Sequence, residues 1–313
     1  MKSISLRKSG DTLIHKSRIA GFLGKTAVYL ILICLSYIIL YPFVIKVFGS
    51  LRGVEDIGDY TVVLIPKHFT LENLKLAFDG LKYPKALLNS VLLSGMVGVL
   101  QVFSTATVGY GLSRFRFPGR NLIYALVLIT LMIPAQTTMT ATFLQFRYFD
   151  IFGLFNLILG HPLNLISTPV PFAILAITGF GLRNGLYIYL ATQSFRGLPR
   201  ELDDAASVDG AGAIRIFRSV MLPNVIPILL TIFLFSFCWQ WTDSYYSSLF
   251  VKSWDLLARN IQMIMNALSY MEVIEVSAVR NAGMILIILP LLLVYVISQK
   301  YFISGITNSG IVG

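Results

Sequence analysis

The chain has 313 residues, of which 56 % are hydrophobic and 13 % charged, with a formal net charge of +10 and a mean hydropathy of +0.76. That balance excludes a soluble globular domain and points to a bilayer, where each crossing takes about 20 apolar residues because the backbone finds no hydrogen-bond partner in lipid. The positive charge does not describe a nucleic-acid surface either, since it is concentrated at the ends of apolar runs.

Residues 1–26 carry Lys2, Arg7, Lys8, Lys16, Arg18 and Lys25 against Asp11 alone, the composition of a cytoplasmic basic tail. Gly24-Lys25-Thr26 ends like a phosphate-binding loop, but Ile19 stands where the first glycine belongs and the context is not strand-loop-helix; a basic flank and helix start is the reading. The run from Ala27 to Phe48 is longer than a signal-peptide core and no small-x-small cleavage site follows it, so it is a retained first span. Spans are predicted at 27–48, 87–110, 121–145, 171–194, 224–248 and 281–303, which gives an all-α membrane protein of six helices. They form one membrane domain over 27–303, with 304–313 as a C-terminal tail. With the N-terminus inside, the inner segments hold 14 Lys or Arg against 5 acids and the outer ones 9 against 9. The predicted orientation is therefore N-in and C-in.

Between the first two spans, Phe69-Thr70-Leu71-Glu72 has the pattern of a short capped helix lying on the membrane surface. Pro134 falls in the middle of span three, where it removes a backbone donor and kinks the helix, as a gate hinge or a packing adjustment. In span four, Arg183 and Asn184 lie within Gly181-Leu182-Arg183-Asn184-Gly185, a small-xxx-small pair that permits close helix contact. Arg183 either faces a pore and attracts an anionic or hydroxylated solute, or snorkels outward from a span that starts later. Near the end of span five, Trp239-Gln240-Trp241-Thr242-Asp243 combines flat aromatic faces with amide and carboxylate groups. That suits a carbohydrate path, with Gln240, Trp241 and Asp243 as its candidates, and it equally suits an interfacial aromatic belt. Cys34 and Cys238 fall inside spans, and His15, His68 and His161 are far apart, so neither a disulfide framework nor a metal site is expected.

Between spans four and five stands Glu201-Leu202-Asp203-Asp204-Ala205-Ala206-Ser207-Val208-Asp209-Gly210-Ala211. Leu202, Ala205 and Ala206 share a helical face at i, i+3, i+4 spacing, with carboxylates opposite, and Gly210 supplies a left-handed turn before Ala213 to Phe217 restarts a helix. The result is a short helix-turn-helix on the cytoplasmic face whose alanines allow close approach to another surface and whose Asp203, Asp204 and Asp209 can meet its cations; taken from the residues alone, an inert polar loop is the more common outcome of such a stretch.

This stretch, followed by Ile216-Phe217 and Leu222-Pro223, resembles the E-A-A-x-x-D-G-A…L-P loop of ABC importer permeases. Asn89-Ser90, Arg114-Phe115-Arg116-Phe117-Pro118-Gly119-Arg120 and Leu131-Met132-Ile133-Pro134 extend the resemblance to the maltose-transporter type, from about Phe69 to the C-terminus. The resemblance implies a permease subunit of a binding-protein-dependent sugar importer in a bacterial cell membrane. Its implied partners are a second homologous permease, two cytoplasmic ATPase subunits that bind ATP and magnesium, and an extracytoplasmic solute-binding protein. The chain itself would then be no enzyme and would carry no cofactor. ATPase coupling would fall on Glu201, Asp203, Asp204, Ala205, Ala206, Asp209, Gly210 and Ala211, with Asp204 at the family's acidic contact position. Two departures stand out: Asp204 is one methylene shorter than the usual glutamate, and the tail GITNSGIVG at 305–313 has Val312 where the family has lysine. Rival readings are a permease for peptides or amino acids and a membrane-bound glycosyl transferase.

Overall fold

The structure is a computed structural model that describes the backbone of residues 4–267 and 273–310, and the side chains of 24–264, except residue 135, and of 275–299. The side chains of most of the basic N-terminal tail and of the tail 304–313 therefore lie outside the described residues. The described residues contain helices and no β-strand. They divide into two compact units, Met1–Lys75 with Glu272–Ile285, and Leu76–Met271 with Leu286–Gly313.

The first unit contains α1 (Ile4–Ser50), the short α2 (Val54–Ile57) and the start of α3 (Glu72–Gly80). Gly24–Ser50 is long and apolar enough to cross a membrane, and its apolar side chains are exposed. Exposure of this kind would be intolerable in water and is what a lipid-facing helix requires. Near its end Lys46 donates to Asn281 Oδ1 (2.9 Å), and Gly49 leaves room for the Asn281 amide, which a Cβ would approach to 2.8 Å.

The 51–71 loop is fixed by its own polar groups. Gly53 N–H donates to the His68 carbonyl (2.8 Å) and Thr70 N–H to the Leu51 carbonyl (3.0 Å). Buried Asp56 accepts from His68 N–H (2.9 Å) and lies 2.7 Å from His68 Nδ1. Asn73, at the start of α3, donates to the carbonyls of Ser50 and Arg52, and Thr70 Oγ1 accepts from Glu72 N–H (3.1 Å). The expected capped helix thus begins at Glu72.

The second unit is organised around α4 (Tyr83–Arg114), another helix long and apolar enough to span. It is followed by α5 (Arg120–Thr130), α6 (Ala135–Arg147), α7 (Leu154–Leu159), α8 (Val170–Ile177) and α9 (Asn184–Gly197). Then come α10 (Glu201–Val208), α11 (Ala213–Ile216), a π-helical turn (Phe217–Met221), α12 (Leu222–Asn224), α13 (Ile226–Thr242), α14 (Tyr245–Phe250) and α15 (Leu257–Ala267). The last helix, α16 (Val273–Gly310), belongs to the first unit as far as Ile285 and to the second from Leu286, and contains the apolar segment Glu275–Gln299.

Gly98 and Gly109 allow α4 to meet its neighbours at backbone range. A Cβ on Gly98 would stand 2.9 Å from the Phe233 ring, and one on Gly109 would stand 2.7 Å from Ala191 Cβ. Tyr187, Ala191 and Phe195 of α9 and Ile228, Leu229 and Ile232 of α13 form the buried cluster along α4. A second cluster joins Leu93 and Val97 of α4 to Phe146, Phe172, Phe250 and Val251.

Three predicted spans differ from single helices. Segment 121–145 is α5 and α6, separated at Leu131–Pro134, where Pro134 is extended (φ −61, ψ 130); the expected kink is a complete break. Segment 171–194 is α8 and α9, separated at Thr178–Arg183, where Gly179 (φ +83) and Arg183 (φ +62) are left-handed. Segment 224–248 ends its helix at Thr242, and α13 meets the 213–224 stretch at 77°. By length and composition, three helices among the described residues suffice to cross a membrane, or four when the bent pair counts as one.

The break at 178–183 exposes backbone carbonyls that lipid cannot satisfy. Side chains of α4 satisfy them: Gln101 Nε2 donates to the Leu182 carbonyl (2.9 Å) and Ser104 Oγ to the Ala176 carbonyl (2.8 Å). Ser236 donates to Gln101 Oε1 and so orients the amide. Gly181 has no side chain because the Gln101 amide occupies the place of its Cβ. Gln101→Leu strands these groups and is expected to lower stability by about 1–3 kcal/mol, read as a lower midpoint in denaturant unfolding of the detergent-solubilised protein; an unchanged midpoint would contradict this bracing.

The Asp56–His68 pair has a defined pH window. The hydrogen bond to Asp56 raises the His68 pKa above its ordinary 6.5, against an opposing effect of desolvation. Desolvation raises Asp56, but its hydrogen bonds from His68 outweigh that and bring it below 3.8. His68 therefore stabilises the loop fully below 6.5 and stops doing so as pH rises through its raised value. Asp56 stabilises it above 3.8 and stops doing so as pH falls through its lowered value. After correction for intrinsic rates, exchange of the Gly53 and Thr70 amides should be slowest between these limits, and Asp56→Asn should remove the pH dependence.

Candidate functional site

Two features of the second unit combine functional groups: the 200–218 loop and a cavity beside the α8–α9 break. In the loop, α10 starts where the Arg200 carbonyl accepts from Asp203 N–H (2.9 Å) and Asp204 N–H (3.1 Å). It ends in a Schellman turn, with Gly210 N–H donating to the Ser207 carbonyl and Ala211 N–H to the Ala206 carbonyl, both at 3.0 Å. Gly210 takes φ +76, so the glycine expected to supply a left-handed turn does so. A Cβ there would meet nothing within 4 Å; the constraint is the backbone conformation, which costs other residues about 1–2 kcal/mol.

The carboxylates do not act as one group. Leu202 and Ala206 pack against the buried cluster with Tyr110, Ile216 and Phe217, whereas Ala205, expected on the same face, is exposed. Asp203 turns inward and forms an ion pair with Arg114 Nη1 (3.2 Å). Arg114, the last residue of α4, has only 8 % of its side chain exposed, and its Nη2 donates to the Leu198 carbonyl (2.9 Å) beyond α9. Burial raises the Asp203 pKa more than the Arg114 charge lowers it. The outward face is Glu201, Asp204, Ala205 and Val208, all exposed, at i, i+3, i+4 and i+7 spacing. Asp209 is also exposed and Ala211 is half-buried. Val208 (88 % exposed) and, across the turn, Ile214 (83 %) are apolar groups held out from the protein. Neither was singled out from sequence; the same helical spacing that identifies the inner face would have found Val208.

The cavity has a volume of about 850 Å³, and its lining includes Arg183, Asn184, Gln240 and Asp243. The structure thus brings together four of the five sequence candidates for a solute path. Trp241 is the exception. It is 2 % exposed, stacked on Phe237 at 5.6 Å, and its Nε1 donates to the Ile287 carbonyl (3.2 Å). Two residues back on α13 is roughly 200° around the helix, so Trp239 faces the cavity instead. The Arg183 guanidinium lies 4.4 Å from its ring centroid, a cation–π contact. Asp243 caps α14, with Oδ2 accepting from Ser247 N–H (2.8 Å) and Oγ–H (2.9 Å), and Oδ1 from Tyr246 N–H (3.2 Å).

Asn184 and Gln240 are 2 % and 5 % exposed. Asn184 Nδ2 donates to Ser104 Oγ (3.4 Å), while Asn184 Oδ1 and Gln240 Nε2 are buried without a protein partner. Each such atom costs about 1–3 kcal/mol. Among the described residues no group of His, Cys, Asp and Glu could hold a metal ion.

Residues 102–308 match the family model described as binding-protein-dependent transport system inner membrane component. The chain is 29 % identical over 306 residues to a maltodextrin transport system permease protein of Bacillus subtilis, covering 94 % of this chain and 98 % of that one. It is 28 % identical to an arabinooligosaccharides transport system permease protein of the same organism, covering 92 % and 96 %. It is 29 % identical to a diacetylchitobiose uptake system permease protein of Streptomyces coelicolor, covering 90 % and 86 %. Its fold is similar to a chain in the crystal structure of a bacterial ABC transporter involved in the import of the acidic polysaccharide alginate. The TM-score is 0.69 at 21 % identity, over 91 % of this chain and 97 % of that one.

Asp203→Asn leaves the buried Arg114 guanidinium without its charge partner. It is expected to destabilise the protein by about 1–2 kcal/mol, less than a fully buried pair because Asp203 is partly solvated. A double-mutant cycle with Arg114→Met on the purified protein checks this: coupling near zero would contradict the ion pair as a brace.

Proposed function

This chain belongs to the binding-protein-dependent transport system inner membrane components, and from that premise we propose that it is one permease subunit of an ATP-driven importer of sugars or oligosaccharides. Its place is the bacterial inner membrane, consistent with its apolar spanning helices. The family name itself implies an external solute-binding protein. The finer assembly is a second homologous permease and two cytoplasmic ATPase subunits, which hold ATP and magnesium and perform the hydrolysis. The chain then needs no cofactor of its own.

In this reading the domain over 27–303 crosses the membrane six times with both termini inside, the broken segments 121–145 and 171–194 each counting as one crossing. The 14-to-5 excess of basic over acidic residues on the inner side supports that orientation. Sugars are favoured over peptides or amino acids because the relatives include permeases named for maltodextrin, arabinooligosaccharides and diacetylchitobiose. Membership in a transport family leaves nothing to favour a glycosyl transferase.

The observation that carries the coupling role is the outward stripe Glu201, Asp204, Ala205 and Val208, with Ile214 beyond the Gly210 turn. It offers two carboxylates for a partner's cations, a small residue for close approach and two apolar contacts. Closure of the ATPase pair would move α10 and α11 as a lever. The Arg114–Asp203 ion pair passes the displacement to the end of α4, which packs against α9 and α13. Tilting of these helices alternates access to the path through the cavity.

Asp204→Lys places a like charge before the partner's cations, and Gly210→Val forces a β-branched residue into the left-handed turn. Each is expected to lower the ATPase recovered with the affinity-purified permease at least about tenfold, with membrane insertion unchanged. Normal recovery with either variant would contradict this docking surface.

A further inference from the structure

The cavity lining holds one guanidinium and one carboxylate, which have different partners. Of its charged lining residues, Arg183 and Asp243, the carboxylate is committed to the start of α14 through Ser247 and Tyr246. Among the described residues no carboxylate forms an ion pair with Arg183. A guanidinium at membrane depth ordinarily pairs with an acid or faces water. This one is exposed and lines the cavity, and the backbone fixes where it stands. Arg183 caps α9 at φ +62 and ψ 12, a left-handed conformation that non-glycine residues rarely adopt and that persists where the surroundings over-determine it. Here they do: Gln101 grips the preceding carbonyl at Leu182, and the Trp239 ring lies 4.4 Å under the guanidinium. Stacking on one face leaves the N–H edge free to meet a planar anion with two parallel hydrogen bonds.

Two further groups stand in the same lining. Asn184 Oδ1 is an acceptor and Gln240 Nε2 a donor, both buried and without a protein partner. A hydroxyl both donates and accepts, so sugar hydroxyls can complete either group. Exposed Trp239, Phe180 and Tyr245 supply flat apolar faces in that lining, as pyranose rings require. The single guanidinium fork matches the two coplanar oxygens of a carboxylate; a phosphate monoester at about −2 would bring a second negative charge that no further cation in the lining meets.

We propose that this chain carries its own selective solute site, in which Arg183 receives the carboxylate of an acidic oligosaccharide while Asn184 and Gln240 receive its hydroxyls. The proposal rests on the sugar-importer reading above and narrows it from sugars in general to those that carry a carboxylate.

The test uses the complete complex in proteoliposomes, with its binding protein outside and ATP inside. The probes are labelled tetragalacturonate and its fully methyl-esterified form, which has a similar shape and no charge. Wild-type complex should take up the acid in preference to the ester. Arg183→Gln should reduce acid uptake about tenfold, the effect of losing one charge-assisted bidentate contact, and change ester uptake less than about twofold. Arg183→Lys, which keeps the charge but not the fork, should fall between them. The same binding protein serves every variant, so its own preference cancels in the ratio of acid to ester. Equal loss of both substrates in Arg183→Gln, unchanged acid uptake, or wild-type uptake of the ester alone would overturn the carboxylate site. A wild-type complex that carries neither probe nor any neutral oligosaccharide would instead overturn the sugar reading and this inference with it.

Discussion

Everything in the second unit follows from one constraint: a backbone that stops being helical inside lipid must find its hydrogen bonds in a neighbouring helix. The α8–α9 break does so on α4, where Gln101 and Ser104 take up the Leu182 and Ala176 carbonyls. That capture needs α4 within side-chain reach, and Gly98, Gly109 and Gly181 bring the elements to that distance. With its carbonyls satisfied, the break leaves Arg183 left-handed at the start of α9 and opens a cavity beside it. The polar residues of α4 are therefore structural ligands of its neighbours, and the site exists because they hold an irregular segment in place.

The same helix reaches the loop at its other end. A run of 32 residues from Tyr83 to Arg114 spans roughly 48 Å at 1.5 Å per residue, longer than the hydrocarbon core. Gln101 and Ser104 act at the cavity, and Arg114 acts at the 200–218 loop. One rigid element therefore touches both places at which this protein would meet its partners and its solute. Between α11 and α13 the chain is held less regularly, by a π-helical turn at Phe217–Met221 and a 77° bend. Such irregular stretches store alternative geometries, and they lie between the loop and α13 rather than between the loop and α4.

The sequence made the apolar runs, the loop and the left-handed glycine legible because each depends on local chemistry. Gly210 suits the Schellman turn that closes α10 because glycine takes the left-handed backbone without steric cost, and Pro134 removes a helical donor and stands at a complete break, whereas Pro42 and Pro290 lie inside continuous helices. Long-range pairing was not legible. Asp203 and Asp204 are adjacent and chemically identical, and only the position of Arg114, which comes from the packing of α4, assigns one inward and one outward. Trp239 and Trp241 pose the same problem, since either satisfies the composition of a carbohydrate path and only the rotation of α13 decides which faces the cavity. The break in 171–194 was not read from sequence although Thr178 to Gly185 interrupts its apolar run, because glycines and one charge also fit a packed helix; what reveals it is the α4 amide that replaces the lost helical bonds.

The central claim is that this chain forms part of a solute path driven by ATP from one side and supplied by a binding protein from the other. The most direct measurement is uptake of a labelled oligosaccharide into proteoliposomes containing the purified complex, with ATP enclosed or withheld and the binding protein added or omitted. The account predicts accumulation against a gradient only when both are present. Equal uptake without enclosed ATP, or without the binding protein, would contradict it.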